Sequence, residues 1–576
     1  MAPVNKRSCY DPMRRFLFAA LPLLMSAPVH AAWLHACLAS SPASPAPAAV
    51  QAEARAGGLR WFVDEQPSLP GCSSVALAPG ARVESLYPLD PGETPARTIL
   101  LHGNVADGRF AVSEHELPAA QPGPAAPSPM PLHTNLLAGM TARVFGAEER
   151  ASARIDNGQL IVDCREGKRA AGVVLTGPWY LPRANVALAA RIEGGAAGFG
   201  WQAADAARAA RGDALDMAPL PTSGNGLRLA LPNGLERAGW RQFVLLCPTR
   251  QASLRIASLS LTPVAARTPA SAPRATWVWR PGDWIENGPA LLDWAAAHDI
   301  HTLFMTVPLK DGAAVRSPDL LADFVRQAGA RGIRVLSVDG DPHMVLENEI
   351  PNVVKRVQAY AAYNGSVAPE ARLAGVQFDV EPYLLPESTL PSARRDERYL
   401  AMAHALKDAA AGLPLEFVVP FWWGSHRELL EGLAAYADVL SVMDYRTDRG
   451  QVYDFAVPFL DWAEAHGKGV RIALEAGAID PEVQRRYVRI GAGEAGELQA
   501  LDIKGRTVLA LLRAAVSAPM SAPDACLYRL QSTRDIDGSA TTFHRDKAAL
   551  VRLLPQLEAD FGAWNGFTGM AVHELR

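Results

Sequence analysis

The 576-residue chain predicts a multidomain protein: a small N-terminal β unit, a jelly-roll-like β-sandwich and a C-terminal (β/α)8 barrel. Three observations lead there. Ala/Pro/Ser-rich stretches near residues 38–50, 118–131 and 263–274 divide the chain, because such segments stay extended and build no core. Between the last two, short β runs recur without helical periodicity, and after residue 275 strands alternate with helical patterns. A composition 49% hydrophobic and 20% charged is globular, and the length exceeds one ordinary domain.

The chain opens with Lys6, Arg7, Arg14 and Arg15, an apolar run from Phe16 to Met25, and small residues around Ala31. This reads as a secretory leader, residues 1–31, cleaved after Ala31. The apolar run is about ten residues, half of the roughly 20 that a membrane span requires, so no transmembrane segment is expected. Taking away four basic side chains and Asp11 changes the formal charge from −4 to −7, which disfavours nucleic acid as a partner. The protein is expected to be exported, to the periplasm or beyond the cell. A rival reading makes Leu34-His35-Ala36-Cys37 a lipid-attachment box, with Cys37 anchored.

Residues 32–131 form the small β unit with its Ala/Pro-rich linkers, and residues 132–263 the sandwich, with strands near 159–162, 172–175, 186–192, 227–231, 241–247 and 253–261. Trp179, Tyr180, Trp201 and Trp240 are either core or flat sugar platforms. Cys164 and Cys247 lie on strands of this domain and are either a disulfide or two core thiols. No cysteine or histidine cluster has ligand spacing, so no metal and no cofactor is expected; Asp339-Gly340-Asp341-Pro342 reads as a turn. The closing strand of the sandwich, residues 252–261, resembles that of jelly-roll carbohydrate-binding modules.

After a linker at 264–274, residues 275–576 carry eight barrel strands near 276–279, 302–307, 333–338, 373–379, 415–421, 438–443, 470–475 and 568–572. The nearly hundred-residue interval between the last two holds an insertion at about 480–545, with a hairpin turning at Lys504-Gly505, expected on the barrel rim. Reactive groups of such barrels come from the C-terminal strand ends. Here those ends supply Trp279 and Trp284, then Gln377, Asp379, Glu381 and Tyr383, then Trp422 and Trp423, then Asp444, Tyr445 and Arg446, and finally Glu475. Aromatic rings alternating with carboxylates suit a saccharide, which offers apolar faces and hydroxyls.

Ala374-Gly375-Val376-Gln377-Phe378-Asp379-Val380-Glu381 resembles the fourth-strand signature D-G-x-D-x-D-x-E of family-18, chitinase-like glycoside hydrolases, and Met443-Asp444-Tyr445-Arg446 resembles their sixth-strand M-x-Y-D. Two motif aspartates are replaced, by Ala374 and Gln377, and the one after the tyrosine by Arg446. The resemblance implies that Glu381 protonates the glycosidic oxygen while Asp379 and Tyr445 help an N-acetyl group act as nucleophile. An anionic Asp379 would raise the pKa of Glu381. A second mechanism pairs Glu381 as acid/base with Glu475 as nucleophile, at carboxyl separations of about 5–5.5 Å for retention or about 6.5–9.5 Å for inversion. Against both stands a structural role for the carboxylates in salt bridges with Arg471 or Arg446. The expected function is cleavage or engagement of a polysaccharide or oligosaccharide by an exported glycoside-hydrolase-like protein. The alternative is a non-catalytic polysaccharide-binding protein on a degenerate barrel.

Overall fold

The computed structural model describes residues 32–38, 50–56, 58–89, 93, 95–106, 109–117, 128–205, 217–220, 225–229, 239–264, 273–386, 388–491, 493–517 and 526–576. The expected leader, most of the linker at 264–274 and the Trp240 side chain lie outside them. The chain divides into two compact units.

One unit joins the N-terminal strands to residues 482–536, in two sheets. Strands Ala52–Ala56, Leu59–Asp64, Trp33–Leu38 and Cys72–Ala76 form the smaller. Across it His35 Nδ1 lies 2.7 Å from Ser74 Oγ and Nε2 2.9 Å from Asp64 Oδ1. With its ring wholly buried, His35 has both nitrogens satisfied and ties three strands together. Cys37 and Cys72 face each other in register and form a disulfide. A Cys37 held in that bond has no thiol left for a lipid thioether.

The larger sheet has seven strands, in the order Val83–Pro88, Arg506–Ser517, Ala495–Ile503, Cys526–Ile536, Glu482–Arg489, Thr98–Ala106 and Arg109–Glu116. Lys504 and Gly505 adopt φ of 55° and 80°, the double left-handed turn that a tight hairpin needs. The predicted insertion does lie between the seventh and eighth barrel strands, but the N-terminal unit is not separate from it, since the strands of both complete one sheet. Neither segment closes a core alone. Residues Ile99, Leu101 and Phe110 bury against Tyr487, Leu498, Leu509 and Tyr528 from the distant segment.

In the other unit, residues 128–263 form two sheets. One has the order Ala151–Asp156, Gln159–Cys164, Ala252–Pro263, Val186–Gly194 and Asn225–Leu229. The second centres on Gly239–Leu246, flanked by Gly200–Asp205 and Ala171–Thr176. Leu160, Val162, Leu254 and Ile256 of the first, and Val173, Leu175, Phe243 and Leu245 of the second, are buried. A Cys164–Cys247 disulfide links the two sheets and decides between the alternatives left open for these cysteines. Trp201 is core, and Trp179 packs over Gly139 and Gly177.

Eight parallel strands then close a barrel: Arg274–Val278, Ile300–Thr306, Arg334–Asp339, Val376–Phe378, Leu415–Pro420, Val439–Met443, Gly469–Glu475 and Phe567–His573. Helices such as Pro318–Ala330, Ile350–Ser366 and Arg449–His466 connect them. Trp277, Phe304, Val338, Val418, Met443 and Ala473 fill the interior. Below the mouth a polar layer holds Glu416, which accepts from Gln377, Ser441 and Arg471.

The sandwich-like sheets are fixed to the barrel through Asp461 on the helix Arg449–His466. Its Oδ1 accepts from Arg183 N at 2.7 Å and Trp564 Nε1 at 2.8 Å, and Asn185 N donates to Ala563 O at 2.8 Å. Burial raises the Asp461 carboxyl to about 6 against the pull of those donors. Asp461→Ala should lower stability by about 2–3 kcal/mol, because two buried N–H groups lose their acceptor, whereas Asp461→Asn retains a carbonyl and should lose less. Denaturant unfolding followed by tryptophan fluorescence checks the order of the two variants.

Candidate functional site

Parallel strands all end on one face, so their last residues converge at one mouth. The fourth strand stops at Phe378, and Asp379 and Glu381 follow it, Glu381 immediately before a short 3-10 turn at Pro382–Leu384. Gln377 points into the barrel while Val376, Phe378 and Val380 are buried, Phe378 stacking on Phe417 at 5.9 Å. Gly340, at the end of the third strand, touches the Asp379 backbone so closely that an added Cβ would lie 2.1 Å from its carbonyl oxygen. Only glycine fits there, and this contact locks the Asp379 backbone.

Asp379 Oδ1 is buried without a hydrogen-bond partner. Burial, then the charge of Glu381, raises the Asp379 pKa to about 7, with His573 pulling the other way. The sequence reading takes Asp379 as anionic; the structure instead holds it protonated up to about 7, because its burial costs it hydration. Glu381 is half-buried, and its Oε2 accepts a short hydrogen bond from the Tyr383 hydroxyl. Tyr383 in turn packs edge-on against the exposed Trp422, ring centroids 5.0 Å apart. The burial and neighbouring carboxylates that raise Tyr383 and Tyr445 keep both phenols protonated.

Tyr445 stacks on His573 at 6.2 Å, and its electrostatic neighbours are Glu475, Asp379 and Glu381. Glu475 is buried and has both oxygens engaged: Oε1 accepts from Gly477 N at 2.6 Å and Oε2 lies 2.8 Å from His573 Nδ1. Burial opposes its charge, but the His573 and backbone donors outweigh burial and hold its pKa below the usual value. Glu475 thus orients the His573 ring, and each of its oxygens has one partner.

Five predicted substrate contacts sit elsewhere. Gln377 is wholly buried, accepting from Trp277 Nε1 at 2.6 Å and donating to Glu416 at 2.9 Å, because its strand position is one layer below the mouth. Trp284 is buried in the helix layer against Phe324, with Nε1 on Thr306 O at 3.0 Å. Trp423 is buried against Tyr399 at 4.8 Å. It differs from Trp422 because both lie on the 3-10 turn Phe421–Ser425, not on a strand. Asp444 alternates away from Met443 and is fully buried, with neither carboxylate oxygen bonded and its pKa raised well above the ordinary value by burial. Arg446 lies 4.5 Å above the Phe421 ring and donates to Tyr445 O, so its charge faces aromatics. Arg471 pairs with Glu416 at 3.2 Å and leaves Glu381 to Tyr383.

The mouth therefore gathers Asp379, Glu381, Tyr383, Tyr445, Trp279 and Trp422, with His573 added. Strand pairing gives the signal for His573. In a closed barrel the seventh and eighth strands are neighbours, and Glu475 and His573 are direct cross-strand partners. Beside the third strand end a cavity of about 470 Å³ is lined by Asp339, Asp341, His343, Glu349 and Arg356, with Asp339 ion-paired to Arg356. Among the described residues no group of three or more His, Cys, Asp or Glu is placed to hold a metal ion, and no helix is long and apolar enough to cross a membrane.

No family model and no curated protein matches this sequence. Among solved structures the chain is similar to a GH18 chitinase from Cycas revoluta in complex with (GlcNAc)3, at 12% identity and a TM-score of 0.29, over 52% of this chain and 94% of that one. It is similar also to catalytic domain 2 of the Group II chitinase of Ostrinia furnacalis, at 12% identity and TM-score 0.27 over 52% and 88%. A chitinase from Bacteroides thetaiotaomicron gives 14% identity and TM-score 0.25 over 35% and 68%.

Proposed function

We propose that the chain is an exported glycoside-hydrolase-like protein acting on a polysaccharide, with Glu381 as general acid/base. The observation that carries the proposal is the Asp379/Glu381 pair at the end of the fourth strand of a closed parallel barrel. Asp379, raised to about 7, keeps a proton beside Glu381 at neutral pH, and Tyr383 donates to the partner carboxylate. Glu381, at the mouth beside that group, can pass a proton to a leaving oxygen and take one back from water. Trp279, Trp422 and Tyr445 offer flat apolar surfaces to sugar rings. The disulfides Cys37–Cys72 and Cys164–Cys247 fit an oxidising compartment and hence export.

One observation favours the non-catalytic alternative. Gln377, where the family motif has an aspartate, donates down to Glu416 and cannot relay a proton upward to Asp379. Reducing-end release from a panel of soluble polymeric glycans, by wild type and Glu381→Gln, separates the two readings. Cleavage by wild type alone supports the enzyme, whereas binding without cleavage by either supports the binding protein.

A further inference from the structure

His573 has no role in the acid/base reading, yet it is the best-connected side chain at the mouth. Its Nδ1 faces Glu475 Oε2 at 2.8 Å, its Nε2 accepts from the Trp279 indole N–H at 3.0 Å, and its ring stacks on Tyr445 and meets Trp277 edge-on at 5.7 Å. An indole N–H only donates. The 3.0 Å contact therefore requires a lone pair on Nε2, which makes this imidazole the neutral tautomer with its proton on Nδ1, toward Glu475.

We infer that His573 is a positioning residue which fixes the Trp279 indole at the barrel mouth through Nε2 and releases it on protonation. Once Nε2 carries a proton, two donors confront each other 3.0 Å apart with no acceptor between them, and the indole must turn away. The groups that face His573 set where this switch lies. Glu475 on the seventh strand, Asp379 after the fourth and Glu574 beside His573 itself favour the cation, Tyr445 after the sixth is a neutral phenol, and the first strand contributes only Trp277 and Trp279. Burial disfavours the cation, but the Glu475 hydrogen bond and charge, with Glu574 and Asp379, outweigh burial and raise the pKa above 6.5. Trp279 is thus a fixed platform above the transition and a loose one below it. Its value as a sugar platform rests on the glycosidase reading; the latch itself does not.

The test needs no glycan. In the full chain labelled with 15N-indole tryptophan, the Trp279 resonance is identified by its loss in Trp279→Phe and followed from pH 5 to 9. Wild type should show one transition, with its midpoint above 6.5 and coincident with that of the His573 ring protons. Glu475→Gln should move the midpoint down by about one pH unit or more, because the anionic partner is lost. His573→Gln retains an acceptor for Trp279 and a donor to Glu475 but has no titrating group, so its Trp279 resonance should stay flat. A flat resonance in wild type, an unmoved midpoint in Glu475→Gln, or the same transition in His573→Gln overturns the inference. Each variant reports on wild-type wiring independently, and a glycan panel that fails leaves these readouts intact.

Discussion

Glu381→Gln is expected to reduce glycan cleavage by about 10²–10⁴-fold, the usual contribution of a positioned general acid/base. Glutamine preserves an acceptor for the Tyr383 hydroxyl, so the 3-10 turn at Pro382–Leu384 and the packing of Tyr383 on Trp422 should survive. The loss should fall on kcat, with glycan affinity and thermal unfolding close to wild type. A second readout is the alkaline limb of the wild-type rate profile. Asp379 gives up its proton at about pH 7 and becomes a second charge beside Glu381, so activity should decline as pH rises through that value. A kcat within tenfold of wild type in Glu381→Gln would remove this residue from the chemistry.

Asp379→Asn should stabilise the barrel unit at neutral and alkaline pH. The sign follows from linkage. The folded pKa of about 7 exceeds the ordinary 3.8, so between roughly pH 4 and 7 the folded chain binds more protons than the unfolded one, and its stability falls as pH rises. Below pH 4 both states are protonated and the penalty vanishes. Asparagine never ionises. The variant should therefore match wild type near pH 4 and exceed it by on the order of 2–4 kcal/mol above pH 7. Thermal unfolding at a series of pH values reads this directly, and a gain independent of pH would mean that Asp379 is not the raised group. Such a gain beside lost activity is the trade-off expected where a site holds a charge poorly solvated.

Much of the barrel was legible. Strands such as Leu415–Pro420 and Gly469–Glu475 are mostly apolar, interrupted by Glu416 and Arg471, because both faces are buried, and the runs end where the mouth begins. Asp379 and Glu381 were legible too, since two carboxylates after a buried strand have few places to go other than the mouth. Alternation fails once the strand ends. Trp422 and Trp423 sit on a 3-10 turn, so which of them is exposed is set by whether Tyr383 or Tyr399 is the neighbour. Gln377 was placed at the right face but at the wrong depth, because depth depends on the stagger of neighbouring strands, which brings Trp277 and Glu416 to it.

The sequence by itself determined which segments become strands, which strand carries the paired carboxylates and which two cysteines lie on strands of one domain. These are properties of period and local propensity, and they are carried by residues close together in the chain. Only the tertiary structure decided that residues 482–536 complete the sheet of the N-terminal strands, that Cys37 pairs with Cys72, and that Glu475 holds His573. Each of these joins groups 35 to several hundred residues apart or depends on barrel closure, and no local pattern encodes such a meeting. The proton poise of Asp379 is of the same kind, since it comes from burial and from Glu381 and His573, which the closed barrel brings to its side.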